Sequence, residues 1–243
     1  MITIKELHEK TLPENKKKAV KRDVISYYLW RPICDFSTIL LIGTNVTATT
    51  ITKISFYSCL LALVTFIFVT NKIGALLAWG FLWIWNILDG VDGNIARYKD
   101  QCSKQGDLWD AVAGYLCMFV MYFGMGIVAY NENSILNLDF ISKEYYIIIG
   151  SIAAVCMIFP RLVTQKKSAV FGKESVNNVK DKTSYGLIKT LILNINSING
   201  LSSLLFLLAI VFNMVNIYVV IYGVINLIFA IGAMIVVMKG LRE

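Results

Sequence analysis

Long apolar segments recur along the whole of this chain, and they constrain its fold more than any other feature. Hydrophobic residues make up 57% of the 243 residues and charged residues only 16%, whereas a soluble domain is usually about a quarter charged. A helix needs about 20 apolar residues to cross a bilayer. We therefore predict an all-α integral membrane protein with six transmembrane helices, at Val46–Thr70, Ile73–Leu88, Asp107–Tyr130, Tyr145–Leu162, Ser197–Met214 and Ile217–Met238.

The segment before the first predicted span has a different composition. Residues 1–23 are polar and charged, which argues against a signal peptide, and they include the only histidine, His8. Val24–Ile42 mixes aromatic and apolar side chains with an arginine and an aspartate, a composition typical of an amphipathic helix at the membrane interface. We therefore divide the chain into a cytoplasmic arm with an interfacial helix, residues 1–45, and a six-helix membrane domain, residues 46–243.

The positive charges indicate how the spans are oriented. The net charge is +7, a sign that nucleic-acid-binding proteins share, but the Lys and Arg residues cluster in alternate loops. Segments 1–45, 89–106, 161–189 and the tail after Met238 hold 20 of the 23. Because cytoplasmic loops are enriched in Lys and Arg, we predict a multi-pass cell-membrane protein with both termini in the cytoplasm and no nucleic-acid partner.

Cysteine and histidine offer little chemistry within the predicted spans. The five cysteines have no spacing typical of a metal site. Three of them, Cys59, Cys117 and Cys156, lie in apolar runs, where a cysteine usually packs as a small hydrophobe. Chemistry within the membrane must therefore use other side chains, which excludes histidine-based proteolysis and most zinc sites.

Carboxylates are concentrated where the second and third predicted spans meet the cytoplasm. Asp89 and Asp92 are three residues apart, as are Asp107 and Asp110, and residues at this spacing share one face of a helix. A short linker makes the two helices neighbours, so their acidic faces can converge. Grouped carboxylates near lipid repel one another unless a cation lies between them. Since Mg²⁺ and Mn²⁺ prefer oxygen ligands, we predict a divalent-cation site here.

Other residues in this segment favour a phosphate ligand beside the cation. Gly93 and Gly106 allow the backbone to approach a ligand closely, and the planar guanidinium of Arg97 matches phosphate oxygens. Each feature alone also has a structural explanation, because charged side chains at helix ends reach toward water and an Asp-Gly pair commonly marks a turn. Together they predict a site for a substrate that carries a diphosphate.

The same segment resembles the signature of the CDP-alcohol phosphotransferase family, D-x2-D-G-x2-A-R-x8-G-x3-D-x3-D. Seven of the eight fixed positions are present without a gap, at Asp89, Asp92, Gly93, Ala96, Arg97, Gly106 and Asp110. The six predicted spans and the preceding interfacial helix also resemble this family, so the resemblance covers most of the chain.

This resemblance implies a membrane enzyme that moves a substituted phosphate group from a CDP-linked donor to an acceptor hydroxyl and releases CMP. The donor would be CDP-diacylglycerol or a CDP-alcohol, in phospholipid or surface-glycolipid synthesis. Metal ligands would be Asp89, Asp92 and Asp110, for Mg²⁺ or Mn²⁺ with two ions expected. The nucleotide would contact Asp92, Gly93, Ala96, Arg97 and Gly106. The resemblance also implies a homodimer, embedded in membrane lipid, whose active site opens to the cytoplasm.

The eighth position of the signature departs from the family. Gly114 stands where the family has a fourth aspartate, the usual candidate for the base that removes the acceptor's hydroxyl proton, and glycine cannot accept a proton. Three interpretations remain open: the chain belongs to a subgroup that does without this carboxylate, its turnover is blocked, or it binds CDP-linked compounds without reacting them. We favour the first, with Asp110 ahead of Asp107 as the base.

Two further hypotheses concern an arginine and a different class of protein. Arg161 follows Pro160 at the inner end of the fourth predicted span, where it either binds the anionic group of the acceptor or anchors the helix. The alternative class is a cation-dependent transporter, which usually has repeated halves and broken helices near the midplane. The acidic residues here occur once and at one face, which favours the enzyme.

Overall fold

The computed structural model describes residues 2–12, 17–18, 20–136, 138, 140–172, 176 and 186–239, and no strand occurs within these ranges. The helices are α1 (Ile4–Thr11), α2 (Arg31–Ile42), α3 (Ala48–Phe68), α4 (Lys72–Tyr98), α5 (Lys104–Asn131), α6 (Glu144–Phe171), α7 (Leu187–Asn196), α8 (Leu201–Val211) and α9 (Val215–Lys239). A π-helical turn, Ser26–Trp30, leads into α2. The prediction of an all-α fold is confirmed.

Five of these helices, α3, α4, α5, α6 and α9, are long and apolar enough to cross a membrane. In the predicted fifth span, Ser197–Met214, the helix α8 has only 11 residues. The turn before it, in which the Gly200 amide donates to the Ser197 carbonyl over 3.0 Å, interrupts the helix. The predicted fifth span is therefore not one helix over its whole length. Residues 190–196 and α8 form a pair bent by 42°, which makes a sixth span only if the pair crosses as one unit.

Two helices extend beyond the predicted spans and bear on the site. The helix α4 continues past Leu88 to Tyr98, so most of the predicted linker 89–106 is helical. In the same way α6 continues past Leu162 to Phe171. Most of the rest of the predicted inner segment 161–189 lies outside the described residues. Hydropathy marks where an apolar run ends, but a helix continues while its backbone hydrogen bonds are made. The motif carboxylates of α4 consequently lie on one continuous helix, as their spacing predicted.

The N-terminal arm also contains ordered structure that its polar composition does not suggest. Helix α1 begins with a capping box, in which the Thr3 amide donates to the Glu6 carboxylate over 2.8 Å and the Glu6 amide donates to Thr3 Oγ1 over 3.3 Å. These hydrogen bonds lower the pKa of Glu6. The Leu7 side chain is fully buried, and α1 packs against α2 and α4. The arm is thus part of the packed protein beside the motif helix.

Helix α2 has two faces of different character. Its buried face carries Cys34, Asp35 and Thr38, whereas Phe36 and Leu40 are exposed. An apolar outer face of this kind suits contact with lipid, in line with the predicted amphipathic helix. Its position along the membrane interface stays a prediction.

Helix α5 packs against α3, α6 and α9, and small residues permit the closest of these contacts. A Cβ at Gly126 would lie 2.7 Å from the carbonyl oxygen of Tyr146, and a Cβ at Gly150 would lie 2.6 Å from that of Tyr122. Membrane helices commonly use small residues to bring their backbones together. The α5–α6 contact therefore depends on these two glycines.

Replacing Gly126 with alanine is expected to destabilise the protein by about 1–3 kcal/mol, because the added methyl group must push two backbones apart. The measurement is thermal unfolding of the purified protein in detergent. Gly232→Ala is the matched control, since a Cβ at Gly232 in α9 meets no atom within 4 Å. Equal unfolding midpoints for the two variants would contradict the close-packing argument.

Candidate active site

The carboxylates of the motif converge from the end of α4 and the beginning of α5. Asp89 interacts electrostatically with both Asp92 and Asp110, and the carboxyl groups of Asp89 and Asp110 are within hydrogen-bonding reach of each other. Asp92 is only 6% exposed, and its Oδ2 accepts a hydrogen bond of 2.5 Å from Thr52 Oγ1 of α3. The structure thus brings together the three residues that the sequence predicted as metal ligands.

The chemistry of this donor set fits a hard divalent cation. Ionised carboxylates offer only acceptor oxygens, and three of them at short range repel one another. The positive neighbours are Arg161 beside Asp89 and Arg97 beside Asp92, which leaves an excess of negative charge. In the arrangement that the described residues adopt, however, no group of three Asp, Glu, His or Cys side chains could hold a metal ion. The predicted metal site therefore stays a prediction.

The remaining acidic positions of the segment lie outside the cluster. Asp107 is in the first turn of α5, exposed like Asp110, where a negative charge suits the helix dipole, and it adds to the negative charge around Asp110. Asp100 is exposed in the short linker, with a left-handed φ of 53°. Gly114 lies one turn after Asp110 on α5, and a Cβ there would meet no atom within 4 Å. A side chain at this position would therefore have open space.

The residues predicted to bind the nucleotide lie around the same helix ends. The guanidinium of Arg97 lies across Gly93, since a Cβ on that glycine would be 3.2 Å from both terminal nitrogens. The Gly106 amide donates to Ser103 Oγ over 3.0 Å at the beginning of α5. Ala96 packs instead against a small apolar cluster between α2, α3 and α4. The absence of a side chain at Gly93 thus lets the guanidinium of Arg97 lie close to the backbone of α4.

Arg161 of α6 adds a positive charge near the carboxylate cluster from a third helix. Its guanidinium interacts electrostatically with Asp89 and with the phenol groups of Tyr115 and Tyr122. Helix α6 continues past Arg161 to Phe171, and the Arg161 side chain is exposed, so both the acceptor-binding and the anchoring interpretations stay open. The two tyrosines, which the sequence did not single out, place hydroxyl groups near the predicted acceptor site.

A buried polar network beside the motif was missed by sequence reasoning. His8 Nε2 lies 2.6 Å from Asp35 Oδ2, so the histidine interpreted as part of a polar arm pairs with an aspartate of α2. Asn94 Nδ2 donates to Asp35 Oδ1 over 3.2 Å and to Thr38 Oγ1 over 3.1 Å. Asp35 is 2% exposed and Asn94 is fully buried. Two features of the sequence pointed to this network. Asp35 lies within an aromatic run, and Asn94 is a polar residue at a variable position of the motif.

Two of the three cysteines predicted to pack as small side chains, Cys59 and Cys117, are buried, whereas Cys156 is half-buried. The cysteines of the described residues are free; Cys34 is also buried and Cys102 is exposed. Burial raises the pKa of the Cys34 thiol to about 12, so that the thiol stays protonated. A Cβ on Gly90 would lie 2.6 Å from Cys34 Sγ, which shows how closely α2 approaches α4.

A cavity of about 360 Å³ lies at the opposite end of α4, away from the motif. Its polar lining has structural roles, since Asn71 caps α4 and Glu132 Oε2 accepts a hydrogen bond of 2.9 Å from the Val215 amide at the beginning of α9. Burial raises the pKa of the Glu132 carboxyl group. This cavity contains none of the predicted site residues.

Thr52→Val is expected to lower kcat/KM for any reaction at this site by about 10- to 100-fold, because residues that orient metal-binding carboxylates contribute effects of this size. Thr65→Val is the matched control. Both threonines lie on α3 with the hydroxyl within hydrogen-bonding distance of the carbonyl four residues earlier, but only the Thr52 hydroxyl also lies within hydrogen-bonding distance of Asp92. A similar loss in the two variants, measured as CMP release, would contradict the role of Thr52.

Comparison with known proteins places these residues in one family. No curated protein matches the chain significantly. The family model described as CDP-alcohol phosphatidyltransferase matches residues 45–231. The matched part runs from the beginning of α3 into α9 and includes Asp89, Asp92, Asp110 and Arg161. Because the match covers well over half of the chain, this protein belongs to the CDP-alcohol phosphatidyltransferase family, a family of membrane transferases.

Proposed function

We propose that this protein is a divalent-metal-dependent CDP-alcohol phosphotransferase. It moves a substituted phosphate group from a CDP-linked donor, CDP-diacylglycerol or a CDP-alcohol, to an acceptor hydroxyl and releases CMP, in phospholipid or surface-glycolipid synthesis. The observation that carries the proposal is the convergence of Asp89, Asp92 and Asp110 from two helices in a member of this family. Grouped carboxylates beside lipid need a cation, and a cation beside an arginine suits a diphosphate.

The donor is held by side chains of α4 and α5. Asp89, Asp92 and Asp110 are the residues that would hold Mg²⁺ or Mn²⁺, with two ions expected, and a bound cation would polarise the diphosphate and offset the charge on departing CMP. Arg97 donates to a phosphate oxygen. Gly93 and Gly106 keep side chains away from the nucleotide. Rigid helices hold these groups in the geometry that in-line attack requires.

The acceptor enters beside Asp110 and Arg161. Its hydroxyl oxygen attacks the phosphorus of the phosphate distal to cytidine, the bond from that phosphorus to the oxygen of CMP breaks, and CMP leaves with the bonding electrons. Asp110 takes the hydroxyl proton. Arg161 and Tyr115 offer hydrogen-bond donors to polar groups of the acceptor, which supports a polar or phosphorylated head group over a plain hydrocarbon alcohol.

The orientation and assembly belong to the same proposal. Twenty of the 23 Lys and Arg residues lie in segments on one side of the predicted membrane, which supports cytoplasmic termini and an active site at the cytoplasmic face. The resemblance to the family supports a homodimer.

The test is CMP release by the purified protein in the presence of Mg²⁺ or Mn²⁺. CDP-diacylglycerol and several CDP-alcohols are supplied with a membrane extract as the source of acceptors, and mass spectrometry identifies the product. We expect CMP together with one new phosphodiester, and no CMP after chelation of the divalent ions. No CMP from any donor and acceptor mixture would contradict the proposal.

Gly114 favours a second candidate function, a membrane protein that binds CDP-linked compounds without reacting them. Retained donor binding in the absence of CMP release would support it. The transporter alternative is separated by a flux assay in liposomes, in which metal-dependent movement of ions without CMP formation would favour transport.

A further inference from the structure

Two arginines from different helices converge on one amide oxygen beside the motif. Arg31, at the beginning of α2, donates from Nη2 to Asn94 Oδ1 over 3.2 Å, and Arg97 of α4 donates from Nη2 to the same oxygen over 3.3 Å. A guanidinium has five N–H donors, so both side chains keep donors for another acceptor. Within the described part of the chain, the buried Nε of Arg97 has no hydrogen-bond partner.

The charges around this pair favour an anion between the two side chains. The guanidinium groups of Arg31 and Arg97 interact electrostatically, and like charges at short range are unfavourable. The carboxylate beside Arg31 is that of Asp35, whose Oδ1 lies 3.2 Å from Arg31 Nε. That carboxylate is shared, because it also pairs with His8 and accepts a hydrogen bond from Asn94. Arg97 lies near Asp92, and that carboxylate is shared as well, because it accepts a hydrogen bond from Thr52 and belongs to the proposed cation site. Neither guanidinium therefore has a carboxylate to itself.

The surrounding contacts hold Arg31 in position before any ligand binds. Asp35 is buried between α1 and α4, with His8 on one oxygen and Asn94 on the other. The side chain of Arg31 is 15% exposed, so most of it is shielded from solvent. A fixed guanidinium loses little conformational freedom when it binds an anion.

We propose that Arg31 is a second diphosphate-binding residue, which together with Arg97 forms a two-arginine clamp for the diphosphate of the CDP-linked donor. The inference rests on the proposed function, since it assigns the donor to the same site. Arg31 lies outside residues 45–231 that match the family, so the N-terminal segment of this chain completes a donor site that the motif alone does not contain.

The experiment measures ligand binding instead of turnover. The affinities of the purified full-length protein for CDP, inorganic pyrophosphate and cytidine are measured by calorimetry in a buffer with Mg²⁺. Arg31→Gln is expected to weaken binding of CDP and of pyrophosphate by about 10- to 100-fold, the effect of losing a charge-assisted hydrogen bond, and to leave cytidine binding unchanged. Lys143→Gln, which removes one positive charge from an exposed position, is the control and is expected to bind all three ligands like the wild type.

A second variant keeps the test decisive where Arg31→Gln does not fold. Arg31→Lys retains the charge but not the planar fork, and is expected to weaken CDP binding several-fold. Unchanged CDP affinity in the arginine variants, or an equal loss for CDP and cytidine, overturns the inference. Absence of CDP and pyrophosphate binding by the wild type overturns it as well. If the wild type releases CMP but the arginine variants bind CDP with unchanged affinity, only the two-arginine clamp is wrong. If the arginine variants lose affinity for CDP and pyrophosphate but the wild type releases no CMP, only the proposed transferase activity is wrong.

Discussion

Asp92→Asn is expected to lower the rate of CMP release by on the order of a thousandfold, because metal polarisation contributes several kcal/mol and each 1.4 kcal/mol is a factor of ten. Asn preserves the shape of the side chain, and its amide oxygen can still accept the hydrogen bond from Thr52 that Asp92 accepts in the structure. What is lost is one negative charge and one cation ligand. The variant should therefore fold normally, and thermal unfolding checks this.

The matched control for this change is Asp100→Asn. Asp100 lies in the linker between α4 and α5 with φ 53°, and asparagine tolerates this left-handed conformation well. The control removes the same charge from the same segment without touching the carboxylate cluster. We expect nearly wild-type CMP release, and Mn²⁺ binding that is lost in Asp92→Asn but kept in Asp100→Asn. Equal activity in the two variants would contradict a metal site at Asp92.

Gly114→Asp is expected to raise the rate of CMP release by on the order of a hundredfold, since a positioned general base contributes about 10²- to 10⁴-fold. The new side chain has room, because a Cβ at this position meets no atom within 4 Å. It lies one helical turn after Asp110, and residues four apart on a helix are neighbours. The new carboxylate would thus lie beside Asp110, which is the proposed base in the wild-type protein.

Gly114→Asn is the control for the added bulk and polarity, because asparagine has the same shape and cannot act as a base. A gain in Gly114→Asp alone assigns the effect to the carboxylate, and a gain in both variants assigns it to packing or helix propensity. A pH profile of CMP release adds a second measurement, since a new base changes the acidic limb of the profile. A wild-type rate in Gly114→Asp would contradict this prediction and leave Asp110 as a sufficient base.

The membrane-spanning helices were predicted well where one apolar run coincides with one helix, as in α3 and α9. The prediction was incomplete for α4, whose helix continues past Leu88, because hydropathy does not register that residues 89–98 keep their helical backbone hydrogen bonds. It was also incomplete for Ser197–Met214, where local turn geometry around Gly200 divides an otherwise apolar run. Average hydropathy over a window does not resolve such a break.

The candidate site shows the same division between local pattern and tertiary contact. The spacing of Asp89, Asp92 and Asp110 was sufficient to predict that two acidic helix faces meet. Thr52 could not be predicted from sequence, because it is 40 residues from Asp92 along the chain and its role depends on how α3 packs against α4.

The sequence by itself determined that this chain is an all-helical membrane protein with a carboxylate-rich motif between two adjacent helices, because hydropathy and short-range spacing are local properties. Only the tertiary structure decided which distant groups complete the site. Arg31 reaches Asn94 of the motif and His8 reaches Asp35 because α1 and α2 pack against α4, and Arg161 of α6 places its charge near Asp89. Such contacts depend on the packing of whole helices, and no pattern within any one segment encodes them.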